Sequence, residues 1–162
     1  MFDPKTILVP TDFSDCSLNA MKNAVEIAEQ FGSKITVIYI DLNDSQHMPL
    51  FYLDDEKIAE VKQRQEEGIK EHFDEFISAA VGDRKIDVET IVRYGIAYDE
   101  IVEYTEENDV DLLVIASHGK SRIQKFLYGS TTERVVRSAA CTVMVTRSKE
   151  KLKLRKLEQN QK

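Results

Sequence analysis

Hydrophobic and polar positions fall into two alternating patterns along the chain. Residues 6–10, TILVP, are an apolar run with no polar face, the pattern of a strand buried on both sides. TDFSDCS follows, in which Ser14 is a suitable helix N-cap. Ala20, Ala24, Ile27, Ala28 and Phe31 then recur at helical spacing until Gly32. KITVIYIDL (34–42) is a second β-rich apolar run. NDSQHMPLFYL (43–53) has no period and carries Pro49, so it reads as a loop or irregular turn. A long helix is expected from about Asp54 to Ala80, with Ile69, Phe73, Phe76 and Ala80 on its inner face and Gly82 closing it. IDVETIVRYG (86–95) predicts a third strand, AYDEIVEYTEEND (97–109) a helix, and DLLVIAS (111–117) a fourth buried strand. Ser130 and Glu133 form an S-x-x-E capping box that opens a helix through Ala140, and CTVMVT (141–146) is the last strand.

Strands and helices alternate, and the strands are apolar on both faces. This predicts the α/β class: a single open five-stranded parallel sheet with helices on both faces, Rossmann-like in layout. Right-handed crossovers leave few topologies. A sheet of this kind reverses its strand order once, and ligands bind beyond the C-terminal strand ends beside that reversal. No repeat or second domain is evident, which leaves one domain over residues 1–147 and a basic tail over 148–162.

Composition narrows the function classes. At 42% hydrophobic and 31% charged, the chain can bury a core and stay soluble. No apolar run approaches the roughly 20 residues that span a bilayer. MFDPK at the start lacks the layout of a signal peptide, so the expected compartment is the cytoplasm. Cys16 and Cys141 form no CxxC and predict neither a disulfide framework nor a zinc site. His47, His72 and His118 lack metal-ligand spacing. From Arg147 to Lys162 seven basic and two acidic residues give +5, leaving −12 on the rest of a chain whose net charge is −7. The acidic body argues against nucleic acid as a partner. The tail reads as a solvated terminus, or as a segment that docks on a partner or an anionic surface.

The candidate chemistry lies in ASHGKSRIQKFLYGSTTERV, residues 116–135. Gly119-Lys120-Ser121 imitates the end of a Walker A loop, but the first glycine of that motif falls on Val114, inside a strand. The Walker reading is therefore rejected; Lys120 and Arg122 read as a solvated loop face, or as side chains that reach a phosphate from the spacer. Gly129-Ser130 is better placed. It stands at a helix N-terminus, where N–H groups and the helix dipole favour an anion, and Gly119 lets the chain approach a phosphate without a Cβ in the way. The same residues also read simply as loop glycines and a cap. Thr11 and Asp12 lie just beyond the first strand. A carboxylate there either bonds ribose hydroxyls and helps hold Mg2+, or only caps the first helix with Ser14.

Together, ILVPTDFSDCSLNAM, DLLVIASHGKS and LYGSTTERVVRSAACTVMVTR resemble the universal stress protein family over residues 5 to 147. The resemblance implies a fold like that of the adenine nucleotide alpha hydrolases. In the ATP-binding branch the phosphate motif is G-x2-G-x9-G-[S/T]. Here it reads Ala116-x2-Gly119-x9-Gly129-Ser130, with alanine in place of the first glycine. The resemblance implies that ATP or another adenine nucleotide, with Mg2+, is bound by Pro10, Thr11, Asp12, Ile40, Ala116, Ser117, His118, Gly119, Gly129, Ser130 and Thr131. Asp12 would lie near the ribose, phosphates and metal. The backbone of Ile40 would meet the adenine, and Ser130 and Thr131 the outer phosphates. His118 has no nucleophile or carboxylate partner in the sequence, so it is read as a packing or backbone-bonded histidine.

These readings favour a nucleotide-dependent regulatory module of the stress response, signalling to an unidentified protein partner. Phosphoryl transfer needs a positioned nucleophile, cations and a water-orienting residue. Only Asp12, Lys120 and Arg122 offer themselves, which leaves a slow ATPase or transferase as the alternative. A dimeric scaffold without nucleotide is a second alternative. The final strand is expected at a sheet edge with no later segment that reads as a strand to cover it, so a homodimer through that strand is predicted, the alternative being that the tail folds back over the edge. Dimers of this kind are implied by the family resemblance as well.

Overall fold

The computed structural model describes residues 2–41, 55–119 and 129–147. The sequence segments 43–53 and 148–162, and the side chains of Lys120 and Arg122, lie outside the described residues. Along the chain the elements run β1 (Thr6–Thr11), α1 (Asp15–Phe31), β2 (Lys34–Asp41), α2 (Asp55–Val81), β3 (Val88–Tyr94), α3 (Ala97–Glu107), β4 (Leu112–Ala116), α4 (Ser130–Ser138) and β5 (Thr142–Thr146). The boundaries lie within a residue or two of those expected, as helix and strand ends usually do.

All strand pairs are parallel, in the order β3-β2-β1-β4-β5. The chain winds outward from β1 to β3, then returns to the centre and winds outward again through β4 and β5. The reversal therefore falls between β1 and β4. Each strand alternates its side chains between the two faces. Ile7, Val9, Ile35, Val37, Leu112 and Val114 join Ala20, Ala24 and Val25 of α1 and Phe73, Phe76 and Ala80 of α2. Leu8, Ile38, Ile40, Leu113 and Ile115 face the other way, onto Ile101 of α3 and Val135 of α4. The doubly apolar runs in the sequence are thus explained by two separate cores, one on each side of the sheet.

The ladders are unequal. β1 and β2 stay paired from Thr6↔Lys34 to Thr11↔Tyr39, and β4 and β5 from Leu112↔Thr142 to Ala116↔Thr146. β1 and β4 pair only at Ile7↔Leu112 and Leu8↔Leu113. Beyond those rows the two central strands part, and their C-terminal ends frame a crevice at the reversal.

Helix punctuation follows local chemistry. Gly32 ends α1 in the left-handed conformation (φ 66), its N–H donating to Ala28 O. Gly82 ends α2 in the same conformation (φ 58). Among the described residues, no helix is long and apolar enough to cross a membrane.

Candidate functional site

The first wall of the crevice is the turn from β1 into α1. Thr11, the last residue of β1, is buried; its Oγ1 donates to Ser17 Oγ (3.1 Å) and accepts from the Phe13 N–H (2.9 Å). Asp12 Oδ1 accepts from the Ser14 N–H at 3.1 Å, a side-chain turn typical of aspartate. Ser14 takes the extended conformation of an N-cap. Its Oγ accepts from the Ser17 N–H (3.3 Å) and Ser17 Oγ accepts from the Ser14 N–H (3.1 Å), a reciprocal capping box made by two serines. Between Asp12 and Ser14 sits Phe13, at φ 57. A bulky residue in this region carries about 1–3 kcal/mol of strain. Its ring packs 4.8 Å from Tyr39, 5.2 Å from Phe73, 5.3 Å from His72 and 5.9 Å from Phe76, measured between ring centres. These aromatic contacts offset the strain.

The second wall is the path from β4 into α4. Ser117 is buried, donates its N–H to Thr146 O (2.9 Å) and accepts the Gly129 N–H on its carbonyl (2.8 Å). Its Oγ lies 3.1 Å from His118 Nδ1. The Thr132 hydroxyl donates to Ala116 O at 2.8 Å. The start of α4 is thus bonded back to the strand end the chain has just left. This bonding corrects the expected cap. Gly129, extended at φ −67 and ψ 154, is the N-cap, and Ser130 is already helical. The Ser130–Glu133 capping box does not form; Glu133 instead bonds Arg137 one turn on (3.0 Å). The Gly129 N–H and Thr132 Oγ1 bonds fix the helix start one residue earlier than the sequence pattern suggests. Gly129 supplies no side-chain acceptor to the first turn of α4, so among the described residues the positive end of the helix dipole at the crevice has no side-chain N-cap.

The two walls meet at Asp12 and Gly119. A Cβ added to Gly119 would stand 2.5 Å from Asp12 Oδ2. An alanine there would have to displace the Asp12 carboxylate or the loop, so the glycine lets the two walls stand in contact. Thr11, Asp12, Ala116, Ser117, His118, Gly119, Gly129, Ser130 and Thr131 all stand on these two walls. Pro10 is buried inside β1 opposite Ile38, and Ile40 is 8% exposed near the end of β2. Both belong to the sheet behind the crevice. Val114 is fully buried in mid-strand, so the Walker A geometry is absent.

Four contributors escaped the sequence reading. Phe13 and Thr132 act through contacts that no local pattern reveals. Tyr39 stands behind Phe13, its phenol pushed upward by burial and by the negative charges of Asp41 and Asp12. Asp41, buried at the end of β2, was visible as a charge closing an apolar run. Among the described residues, no group of three or more His, Cys, Asp or Glu side chains is placed to hold a metal ion. An open groove lined by Lys22, Glu26, Glu29, Arg84 and Lys85 lies between α1 and the end of α2, away from the crevice, and brings no reactive group together.

Comparison with known proteins places this arrangement among relatives. The family model described as the universal stress protein family matches residues 4–147. The chain is 32% identical over 151 residues to universal stress protein MJ0531 of Methanocaldococcus jannaschii, covering 91% of this chain and 84% of the relative. The solved structure of MJ0577, a universal stress protein of the same organism, superposes with a TM-score of 0.73 at 27% identity, covering 92% of this chain and 99% of that one. A universal stress protein solved in complex with cAMP superposes with a TM-score of 0.60 at 26% identity, covering 90% and 98%. Family model, identity and fold agree: the chain belongs to the universal stress protein family.

Proposed function

We propose that this protein is an adenine-nucleotide-binding regulatory module, with ATP and Mg2+ held in the crevice between β1 and β4. The observation that carries the reading is the meeting of Asp12 with Gly119, beside the uncapped N-terminus of α4, where the central ladder ends. An anion is favoured at that helix end, and glycine lets backbone approach phosphate oxygens closely. The relative solved with cAMP shows that an adenine nucleotide suits a fold of this kind. Ser130 and Thr131, in the first turn of α4, would face the phosphates. Asp12 fits a magnesium ion that takes its other ligands from phosphate and water, since Mg2+ is commonly held by one or two carboxylates in this way. Ala116 at the first motif position is 7% exposed and accepts Thr132 on its carbonyl, so a small residue there serves the packing.

The regulatory reading is preferred to an enzymatic one because His118, the side chain best suited to act as a general base there, has its Nδ1 engaged with Ser117 Oγ. The protein would act in the cytoplasm as a homodimer paired through β5, passing its nucleotide state to a protein partner.

The test is direct. Protein purified without added nucleotide is denatured and its small-molecule extract chromatographed, followed by ATP titration calorimetry and single-turnover phosphate release. The expected result is an adenine nucleotide in the extract or micromolar ATP binding, with phosphate release far slower than dissociation. Absence of both bound nucleotide and ATP binding would refute the reading. Rapid single-turnover release would shift it to an ATPase.

A further inference from the structure

Phe13 joins the crevice turn to helix α2. Its backbone lies between Asp12 and Ser14 in a conformation (φ 57) that bulky side chains rarely adopt. Its ring leaves the turn, packs edge-on against His72, Phe73 and Phe76 of α2, and lies tilted at 34° against Tyr39 of β2. Tyr39 is the register partner of Thr11, so this cluster sits at the C-terminal edge of the sheet, beside the crevice. α2 has 27 residues, and none from Glu56 to His72 is buried. Phe73 and Phe76 are its first buried residues (4% and 6% exposed). Ile69 leans on the same core one turn earlier, and the cluster around Phe13 is where the helix first becomes buried.

Without its ring contacts this residue keeps only local bonds such as that of its N–H to Thr11 Oγ1, and the turn is free to leave the left-handed conformation. Rotation there moves Asp12 relative to the Ser14 cap that bonds its Oδ1. The position of Asp12 Oδ2 beside Gly119 thus depends on the ring of Phe13. We propose that Phe13 is a positioning residue: its aromatic anchor on α2 sets the Asp12 carboxylate in the crevice and couples nucleotide binding to the docking of α2. The inference rests on the nucleotide reading above. Linkage makes the coupling reciprocal: bound nucleotide steadies α2 as much as α2 docking strengthens binding.

The test uses the full chain in four forms: wild type, Phe13→Gly, Phe13→Tyr and Val25→Ala. Glycine accepts the φ and removes the ring, tyrosine keeps the ring, and Val25→Ala loosens a fully buried site in α1 away from the crevice. ATP affinity is measured by calorimetry below all the melting temperatures, and ligand-free amide spectra are recorded. Phe13→Gly is expected to lose about tenfold in ATP affinity and Phe13→Tyr to stay within about twofold of wild type. Val25→Ala should melt earlier yet bind ATP as wild type does. ATP should slow amide exchange at Phe73 and Phe76 in the wild type, and fail to do so in saturated Phe13→Gly. If Phe13→Gly does not fold, Phe73→Leu thins the same anchor from the α2 side and should weaken binding in the same direction. Wild-type affinity together with wild-type α2 protection in the ring-deleted protein would overturn the proposal. If the wild type itself binds no adenine nucleotide, the nucleotide reading falls. The positioning claim is then judged on the ligand-free spectra: displaced Asp12 and Gly119 amides in Phe13→Gly sustain it, and unchanged ones overturn it.

Discussion

A methyl group at position 119 would lie 2.5 Å from Asp12 Oδ2 and 3.4 Å from its Cγ, so Gly119→Ala must displace either the carboxylate or the loop. The carboxylate's other oxygen is bonded to the Ser14 N–H, which limits where it can go. Gly119→Ala is expected to weaken ATP binding about tenfold, and Asp12→Ala by a similar amount. Because both act through one carboxylate, the double variant should bind about as well as the weaker single one. A double-mutant cycle by calorimetry checks this, and additive losses would show that the two positions act separately. Gly129 makes a contrast. Its added Cβ would meet Ser117 O at 3.6 Å and His118 Cα at 3.7 Å, ordinary contact distances, and its φ suits any residue. Gly129→Ala should fold normally, costing about 1 kcal/mol or less through the weaker N-cap, as chemical denaturation would show.

At the scale of elements, β1 is tied to β4 at its beginning as well as along its ladder. Asp111 Oδ2 accepts from the Lys5 N–H (2.8 Å), the Thr6 N–H (2.9 Å) and Thr6 Oγ1 (3.0 Å). The backbone bonds from Thr6 and Lys5 hold this carboxyl below the ordinary aspartate range. A carboxyl depressed in the folded state stabilises fully above its unfolded pKa, and that contribution is lost as pH falls through the folded value. Asp111→Asn is therefore expected to cost at most about 1 kcal/mol at neutral pH, since water competes at this exposed site. The deficit should close in acid. Urea denaturation across that range tests the sign; a deficit independent of pH would exclude the carboxylate as its source. Glu89, lowered by hydrogen bonds from Lys34 and Thr36, acts in the same direction across β2 and β3.

For the whole molecule, the two edges of the sheet differ. On β3, Arg93 meets Glu107 at 2.6 Å and Glu100 and Glu103 at 3.6 Å, a charged network of the kind that blunts an edge. At the other edge, Met144 of β5 is 36% exposed and Val136 of neighbouring α4 is 49% exposed. Tyr94 at the end of β3 and Ile96 after it are exposed as well (52% and 59%), so it is the charged network on β3 that makes the β5 edge the one proposed to pair with a second copy about a two-fold axis. Light scattering at micromolar concentration is expected to give a dimer. Met144→Lys should shift it toward monomer without changing the melting of the monomeric fold. A wild-type monomer would exclude this assembly.

The order of elements, the parallel sheet, the two helix-covered faces and the placing of the crevice were legible in the sequence alone. Each rests on short-range signals: apolar periodicity, the Ser14 cap and the glycines at 32 and 82 act within a turn or two of the chain. The candidate site was legible in part, because strand ends beside the reversal follow from topology. Other features belong to tertiary structure. That β1 and β4 part after Leu8 and Leu113, that Gly129 rather than Ser130 caps α4, that the ring of left-handed Phe13 packs on α2, and that Gly119 stands against Asp12 depend on groups far apart in the chain. No local pattern records such pairs, since the energy that selects them exists only once the fold has brought the two partners within contact distance.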